Sequence, residues 1–434
     1  MHKSWELIYN QSMKEYKKRI TDKILSQNMR AFGGVLIEGV KGCGKTTSAK
    51  QLAKSVIEFQ DEDKRDNLLL IANNQPSELL KNEKPILFDE WQDAPKMWGA
   101  IRKSIDDDQL IGAYILTGSS SNKVKTPHTG TLRISRMKMY PMSLYESGDS
   151  NGEVSLIELF NNNKFEGCHS NLKIDDYKYL ICRGGWPNIL NVKDKKDKLL
   201  IAKSLFKQTC DIDINNISEK KRSSKTTEKL LKSYSRNICT LAGNKTIYED
   251  SGLSSKTYDE YVEDLEKLNI ICDVNAWCPA IRSKDAIRAS SKRNLVDPSI
   301  AVSALGLTPE YFSKDYQTLG FLFESLCIRD LKIYSSAYGG EVSYYHDRYG
   351  LEADVVLHLD DGRFALIEIK LGQSQIDEGA KHLNEIESLI KKYNKSEKQN
   401  KLRIPDLKIV ITGTEYGYKR KDGVLVIPIG CLKD

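Results

Sequence analysis

No stretch of the chain holds the roughly 20 consecutive apolar residues that cross a bilayer, so no membrane span is expected. The opening MHKSWELIYNQSMKEYKKRI has no apolar segment ending in small residues, so it does not read as a secretory signal, and the expected compartment is the cytoplasm. The nine cysteines (43, 168, 182, 210, 239, 272, 278, 327 and 431) form no CxxC pair and have no histidine pair nearby at zinc-ligand spacing; they read as reduced core thiols rather than ligands or disulfides. A charge of one sign is missing as well. Sixty-six basic residues against 60 acidic ones leave a net charge of +6, so any case for a nucleic-acid partner must come from local patches. Internal repeats are absent, and the lysine- and asparagine-rich KKYNKSEKQNK reads as a solvated surface segment.

What is present is 434 residues, 40% of them hydrophobic and 29% charged, enough for two or three domains with real cores. Residues 1–150 alternate apolar runs (Gly34 to Ile37, Leu68 to Ile71, Pro85 to Phe88, Ala113 to Leu116) with helical stretches, the pattern of a βαβ parallel sheet. Residues 151–310 read as mainly helical, with SEKKRSSKTTEK as a linker or exposed turn. From 311 onward a helix, Tyr316 to Tyr334, precedes strands at Ala353 to Leu359, Phe364 to Lys370 and Lys408 to Thr412, with a charged helix between the last two. This reads as a second α/β domain.

GVLIEGVKGCGKTTSAKQLAKSVIEF is an apolar strand, a glycine-rich turn and a helix, and Gly39, Gly44, Lys45 and Thr46 fit the phosphate-loop spacing. Such glycines let backbone N–H groups turn toward phosphate oxygens at the positive end of the helix, with Gly42 and Thr47 completing the loop. Lys45 is expected to reach the β/γ-phosphates and Thr46 to ligate Mg²⁺. Downstream, the strand Ile86 to Phe88 ends in Asp89, a second Mg²⁺ ligand, and Glu90, the residue to polarise an attacking water. A further strand, AYILTGSS, ends in Thr117 and Ser119, placed to sense the γ-phosphate. ATP is favoured over GTP because Asn122-Lys123 lacks the aspartate that would read guanine.

The motifs VKGCGKTT, ILFDEWQ, ILTGSS and HTGTLRISRMKMYPMSLYESGDS resemble an AAA+-type ATPase of a prokaryotic family whose members join this module to a C-terminal domain of unknown function. In such relatives a Gly-Arg pair precedes the Pro-x-Ser-x-x-Glu segment; here Leu132 stands at the glycine position and Arg133 is kept. The resemblance implies that Arg133, and secondarily Arg136, acts as an arginine finger, in cis or from a neighbouring subunit of a homo-oligomer. A basic surface strand is the alternative.

In the middle region, Ser251-Gly252-Leu253 followed by SSKTYDEYVEDLEKLNII resembles a helix-turn-helix with Tyr261, Leu265 and Leu268 on one face, and a winged helix is expected. Lys256 and Tyr258 begin its second helix, but Asp259, Glu260, Glu263, Asp264 and Glu266 follow, so phosphate would be repelled and a protein-contacting role is favoured. Arg282, Lys284, Arg288, Lys292 and Arg293 form the better nucleic-acid candidate, or a solvated basic loop. The RGGWP stretch at Arg183 to Pro187 also resembles the family, without a mechanism attached.

LEADVVLHLDDGRFALIEIKLG reads as a hairpin turning at Asp360-Asp361-Gly362. That register sets Leu359 opposite Arg363, Asp354 opposite Glu368 and Glu352 opposite Lys370, with Val355, Leu357, Ile367 and Ile369 facing a core. Paired carboxylates repel, and a divalent metal between them would reverse the cost. The segment resembles the Asp…Glu-x-Lys constellation of restriction-endonuclease-like nucleases, with Glu324 as the additional acid. A surface ion pair of Glu352 with Lys370 is the alternative.

The expectation is therefore an α/β chain: a P-loop AAA+-like parallel-sheet domain at 1–150, a helical and winged-helix connector at 151–310, and a restriction-endonuclease-like α/β domain at 311–434. It would bind and hydrolyse ATP with Mg²⁺ and act on DNA through metal-dependent cleavage, with defence against foreign DNA as its setting. The alternative is an ATP-driven switch or scaffold whose last domain binds without cutting.

Overall fold

The computed structural model describes residues 16–118, 130–162, 164–218, 220–280, 289–397 and 399–434. Ser119, Asn122 and Lys123, and Arg282, Lys284 and Arg288 of the basic stretch, lie outside the described residues.

Helix α1 (Ile20–Ala31) leads into β1 (Gly34–Glu38), the glycine loop and α2 (Lys45–Lys50), followed by β2 (Ser55–Glu58), α3 (Arg65–Asn74), β3 (Ile86–Asp89), α4 (Lys96–Asp108), β4 (Tyr114–Gly118) and β5 (Ile134–Lys138). All five strands run parallel in the order β2–β3–β4–β1–β5. Helices cover both faces of such a sheet, which is why its central strands are continuous apolar runs rather than alternating ones. One expected strand is a helix: Leu68 to Ile71 lies in α3, and the strand is Ser55–Glu58. Leucine and alanine in LLLIA keep their rotamer freedom in a helix, whereas β-branched Val56 and Ile57 suit the pleat.

The short strands β6 (Val154–Ser155) and β7 (Cys168–His169) come next, and then helices α5 (Lys195–Gln208), α6 (Ser224–Arg236), α7 (Asn244–Ser251) and α8 (Ser255–Lys267). Gly252 turns the chain between α7 and α8 with a φ of 70°, and the Ser254 side chain caps α8 by accepting from the Thr257 amide. Antiparallel bridges Ile271↔Leu295 and Val274↔Lys292 follow the three helices. Tyr261, Leu265 and Leu268 are buried as expected. Arg222 pairs with Glu260 (2.9 Å) and Asp264 (2.7 Å), leaving Asp259, Glu263 and Glu266 on the exposed face of α8.

Helices α9 (Pro298–Leu305) and α10 (Tyr316–Ser336) precede β8 (Glu341–His346), β9 (Glu352–His358), β10 (Phe364–Lys370), α11 (Ile376–Ser396), β11 (Leu407–Thr412), β12 (Tyr416–Lys419), β13 (Leu425–Pro428) and β14 (Leu432–Lys433). Seven strands form one sheet in the order β7–β12–β13–β11–β10–β9–β8, while β14 pairs with β6. Val154–Ser155 and Cys168–His169 thus pair with C-terminal strands. Val355, Leu357 and Ile367 join the core that includes α10, and Val356, Leu366 and Val410 pack under α11.

A buried charge cluster ties these parts together. Asp297 caps α9 and accepts from Arg329 Nη1 (2.9 Å) and from the Gly185 amide (2.9 Å). Arg329 also donates to Asp330, whose other oxygen accepts from the Leu144 amide at 2.9 Å. Gly184 has a φ of 74°, and a Cβ on Gly185 would fall 2.1 Å from the Met142 carbonyl oxygen, so the RGGWP stretch is read here as a close backbone crossing that a side chain would block. Burial pushes the Asp330 carboxyl up against the opposing pull of Arg329. Replacing Arg329 with Met would leave Asp297 and Asp330 buried and uncompensated, and urea denaturation should show a loss of roughly 3–5 kcal/mol; a loss under about 1 kcal/mol would contradict the role given to the cluster.

Candidate functional site

The phosphate loop sits at the carboxyl end of β1, beside β4 and β3, where open α/β sheets place their ligands. Gly42 and Gly44 have φ of 80° and 103°, and a Cβ on Gly39 would lie 2.2 Å from the Met139 carbonyl oxygen. A loop with side chains at these positions could not close so tightly. Lys45 Nζ turns into the loop and donates to the Gly39 (2.8 Å) and Val40 (3.1 Å) carbonyls. The Thr46 hydroxyl donates to Asp89 Oδ1 at 2.7 Å, and Thr117 on β4 donates to the same oxygen. The strand ends therefore bring Lys45, Thr46, Asp89 and Thr117 to one place. Glu90 follows with a left-handed φ of 52°, and Gln92 donates to its carboxylate.

Contacts around the loop were not legible in the motif. Arg19 is buried, donates to the Cys43 (2.8 Å) and Tyr140 (2.9 Å) carbonyls and pairs with Glu146 at 3.1 Å. Lys41 pairs with Asp213 at 3.0 Å. A Cβ on Gly44 would lie 3.4 Å from Pro187, and one on Gly42 would lie 3.5 Å from Leu205 of α5. A cleft of about 310 Å³ opens between Val40 to Gly42 and Asn188, Leu205 and Thr209. The glycine loop thus faces the middle region.

The C-terminal hairpin keeps the expected register, with Phe364↔His358 through Ile367↔Val355. Leu359 donates to the Arg363 carbonyl at 2.8 Å across the turn. At the next position the Asp354 carboxylate accepts from the Ile369 amide (2.8 Å) and meets the Glu368 carboxyl. Lys370 Nζ lies 2.6 Å from Glu368 and 3.6 Å from Asp354. The carboxylate face is covered rather than solvated as a surface ion pair would require: Asp354 and Glu368 are buried, and a Cβ on Gly379 of α11 would lie 3.2 Å from Glu368 Cβ.

The cations that balance these acids are lysines. Lys292 Nζ lies 2.7 Å from Glu324 and 3.7 Å from Asp354, and also donates to the Asp354 carbonyl at 3.2 Å. Burial, opposed by Lys292, pushes Glu324 up to about 7. Burial and the Asp354 charge push Glu368 well above the carboxylate range. Burial alone would raise Asp354 too, but Lys292 and Lys370 outweigh it and hold this carboxyl low. The Lys292 and Lys370 ammoniums thus offset the repulsion that paired carboxylates create. Glu324, expected beside the same ion as Asp354 and Glu368, turns to Lys292. Among the described residues no group of three or more His, Cys, Asp or Glu is placed to hold a metal ion, so the acids do not fit one in this arrangement. Lys292 and Arg293, expected on a nucleic-acid-facing surface, are buried: Arg293 pairs with Asp273 at 2.9 Å.

Residues 32–148 match the model of an AAA domain. This part of the chain is an AAA-type ATPase domain. Residues 174–311 match a domain of unknown function (DUF8612) and residues 319–432 another (DUF4143). No curated protein matches. Among solved structures, a DNA replication initiation factor aligns at 11% identity and a TM-score of 0.24, over 57% of this chain and 86% of that one. A signal transduction ATPase with numerous domains (STAND) protein with a tetratricopeptide repeat sensor from Pyrococcus horikoshii aligns at 12% identity and a TM-score of 0.20, over 74% of this chain and 50% of that one.

Within the AAA domain the arginines are displaced from their expected roles. β5 pairs with β1 from Gly34↔Ile134 to Glu38↔Lys138, so Arg133 stands at the end of the sheet remote from the loop, about 16 Å away at 3.3 Å per residue. Its own phosphate site is out of reach, which removes the cis role; Arg133 donates instead to Asp106 at 2.8 Å. Arg136 pairs with Glu38 at 3.0 Å. Leu132, at the position where the resemblance calls for glycine, is exposed and has a φ of 67°. A left-handed leucine costs about 1–2 kcal/mol, while glycine adds part of that back through chain entropy, so Leu132→Gly should stabilise the protein by about 0.5–1 kcal/mol in urea denaturation. Destabilisation would contradict the assigned backbone.

Among the described residues no helix is long and apolar enough to cross a membrane.

Proposed function

We propose that the chain is an ATP-driven switch, in which the nucleotide state of the AAA domain sets how the middle and C-terminal parts are held. The observation that carries this reading is the position of the glycine loop against Pro187 and Leu205, with RGGWP in turn bonded to Asp297 and, through it, to Arg329 of α10. A ligand that reshapes this loop presses on the same residues that hold the cluster.

The loop supports ATP with Mg²⁺. The glycines form a cradle, Lys45 reaches into it, and the Thr46 hydroxyl and Asp89 carboxylate stand together as the pair to hold the ion. The ion would supply neutralisation of phosphate charge. Glu90 is the residue to orient the attacking water. With the cis role gone, Arg133 is read as a finger offered to a neighbouring copy.

Lys45→Ala should weaken ATP binding roughly 10- to 150-fold, the loss of one charge-assisted contact of about 1.5–3 kcal/mol. Glu90→Gln should keep affinity while hydrolysis falls roughly 10²- to 10⁴-fold. Arg133→Ala should lose hydrolysis and regain it on mixing with Glu90→Gln chains. Calorimetry and phosphate release read these outcomes; equal turnover in wild type, Lys45→Ala and Glu90→Gln would sink the assignment.

One observation favours a second reading, that the C-terminal domain is a metal-dependent nuclease acting on DNA, with defence against foreign DNA as its setting. Asp354, Glu368 and Lys370 meet at the strand end that the hairpin register specifies. Lys370 is the group of the three that keeps some solvent access. Under this reading Mn²⁺ with ATP produces cutting of DNA that Lys370→Ala abolishes. Intact single- and double-stranded DNA and RNA after incubation would leave the switch alone standing.

A further inference from the structure

We infer that Lys292 is a tethered counter-cation that keeps the C-terminal carboxylate site closed to divalent ions, and that withdrawing it opens the site. The inference rests on the nuclease reading for the identity of that site and adds its regulation.

Three acids converge from separate elements: Glu324 from α10, Asp354 from β9 and Glu368 from β10. Lys370 is the near neighbour of Glu368 on the same strand, so its charge belongs to the site itself. Lys292 does not. It comes from the bridge Val274↔Lys292 that follows α8, and its backbone is fixed there by a reciprocal pair of hydrogen bonds with Val274 of 2.8 and 2.9 Å. From that distant anchor the side chain enters a fully buried position and places one ammonium against a Glu324 oxygen, an Asp354 oxygen and the Asp354 carbonyl, at 2.7, 3.7 and 3.2 Å. Two carboxylates and a carbonyl around one positive charge are the oxygen donor set of a hard divalent cation. An ammonium already seated there fills the volume and satisfies the charge, so an ion can enter only after Lys292 leaves.

The anchor is tied to α10. Cys272 and Asp273, beside Val274, accept from Lys332 of α10, the helix that carries Arg329. Those bonds hold the strand pair to the helix that also carries Glu324, so the ammonium leaves Glu324 only when they break. The closed arrangement holds two opposed charges in contact, and the open one exposes two acids that need a cation. That exchange couples the connector to metal loading at the C-terminal site.

The test uses the full chain without nucleotide, titrated with MnCl₂ and followed by calorimetry and thermal denaturation. Lys292→Met keeps the length of the side chain and removes its charge. It should bind one Mn²⁺ per chain at least tenfold more tightly than wild type, and the added Asp354→Asn change should abolish that binding. Lys292→Arg, which restores a cation, should behave as wild type. If Lys292→Met loses its fold in metal-free buffer, Mn²⁺ should restore the unfolding transition while leaving the wild-type midpoint unmoved. Mn²⁺ binding to Lys292→Met no tighter than to wild type, or no Mn²⁺-dependent recovery of its fold, overturns the inference. Tight Mn²⁺ binding without cleavage of DNA or RNA sustains the latch and removes the nuclease reading instead.

Discussion

The guanidinium of Arg329 has two acids for company and almost no water, and this confinement holds the three parts of the chain in one arrangement. Asp297 fixes the start of α9 and the RGGWP backbone, Asp330 fixes the turn at Leu144 that leaves the AAA domain, and Arg329 joins the two from α10. Each carboxylate would be costly alone in such a place, because the charge has lost its hydration and retains only its partners. The cluster therefore behaves as a unit: its geometry is stable when complete and expensive when any element moves away. Such a unit is suited to passing on a displacement rather than absorbing it.

The glycine loop is connected to that unit by short steps. Pro187 follows directly on Gly185, whose amide donates to Asp297, and Trp186, whose ring N–H donates to Ser299, and it stands where a Cβ on Gly44 would meet it at 3.4 Å. On the other side Lys41 reaches Asp213. Arg19 grips the loop backbone from the N-terminal side and holds it to Tyr140 and Glu146. The loop that would cradle phosphate is thus the place where the AAA domain meets its neighbours, and its conformation is not a private matter of one domain.

Much of this site was legible in the sequence because its chemistry is local. The spacing of Gly39, Gly44, Lys45 and Thr46 and the placing of Asp89 and Glu90 at a strand end follow from a strand, a turn and a helix that neighbouring residues specify by themselves. The hairpin register behaved the same way, since a three-residue turn at Asp360-Asp361-Gly362 fixes which residues face each other. What could not be read was set by residues far apart. Lys292 looked like one member of a basic run facing nucleic acid, and only the fold shows it entering between Glu324 and Asp354. Arg133 kept the family's residue type, yet the direction of β5 puts it at the far end of the sheet. Leu68 to Ile71 failed for a subtler reason: an apolar run of that length fits a buried strand or a helix face equally, and side-chain branching settled it.

The central claim is that nucleotide at the glycine loop is felt at Arg329 and beyond. Hydrogen–deuterium exchange of the full chain, with and without a non-hydrolysable ATP analogue and Mg²⁺, measures this directly. The account predicts altered exchange at Gly184 to Ile189, along α10 and in the strand pair at Ile271 to Val274, together with protection of the loop itself. Changes confined to residues 34–138, with α10 and the strand pair unmoved, would contradict it.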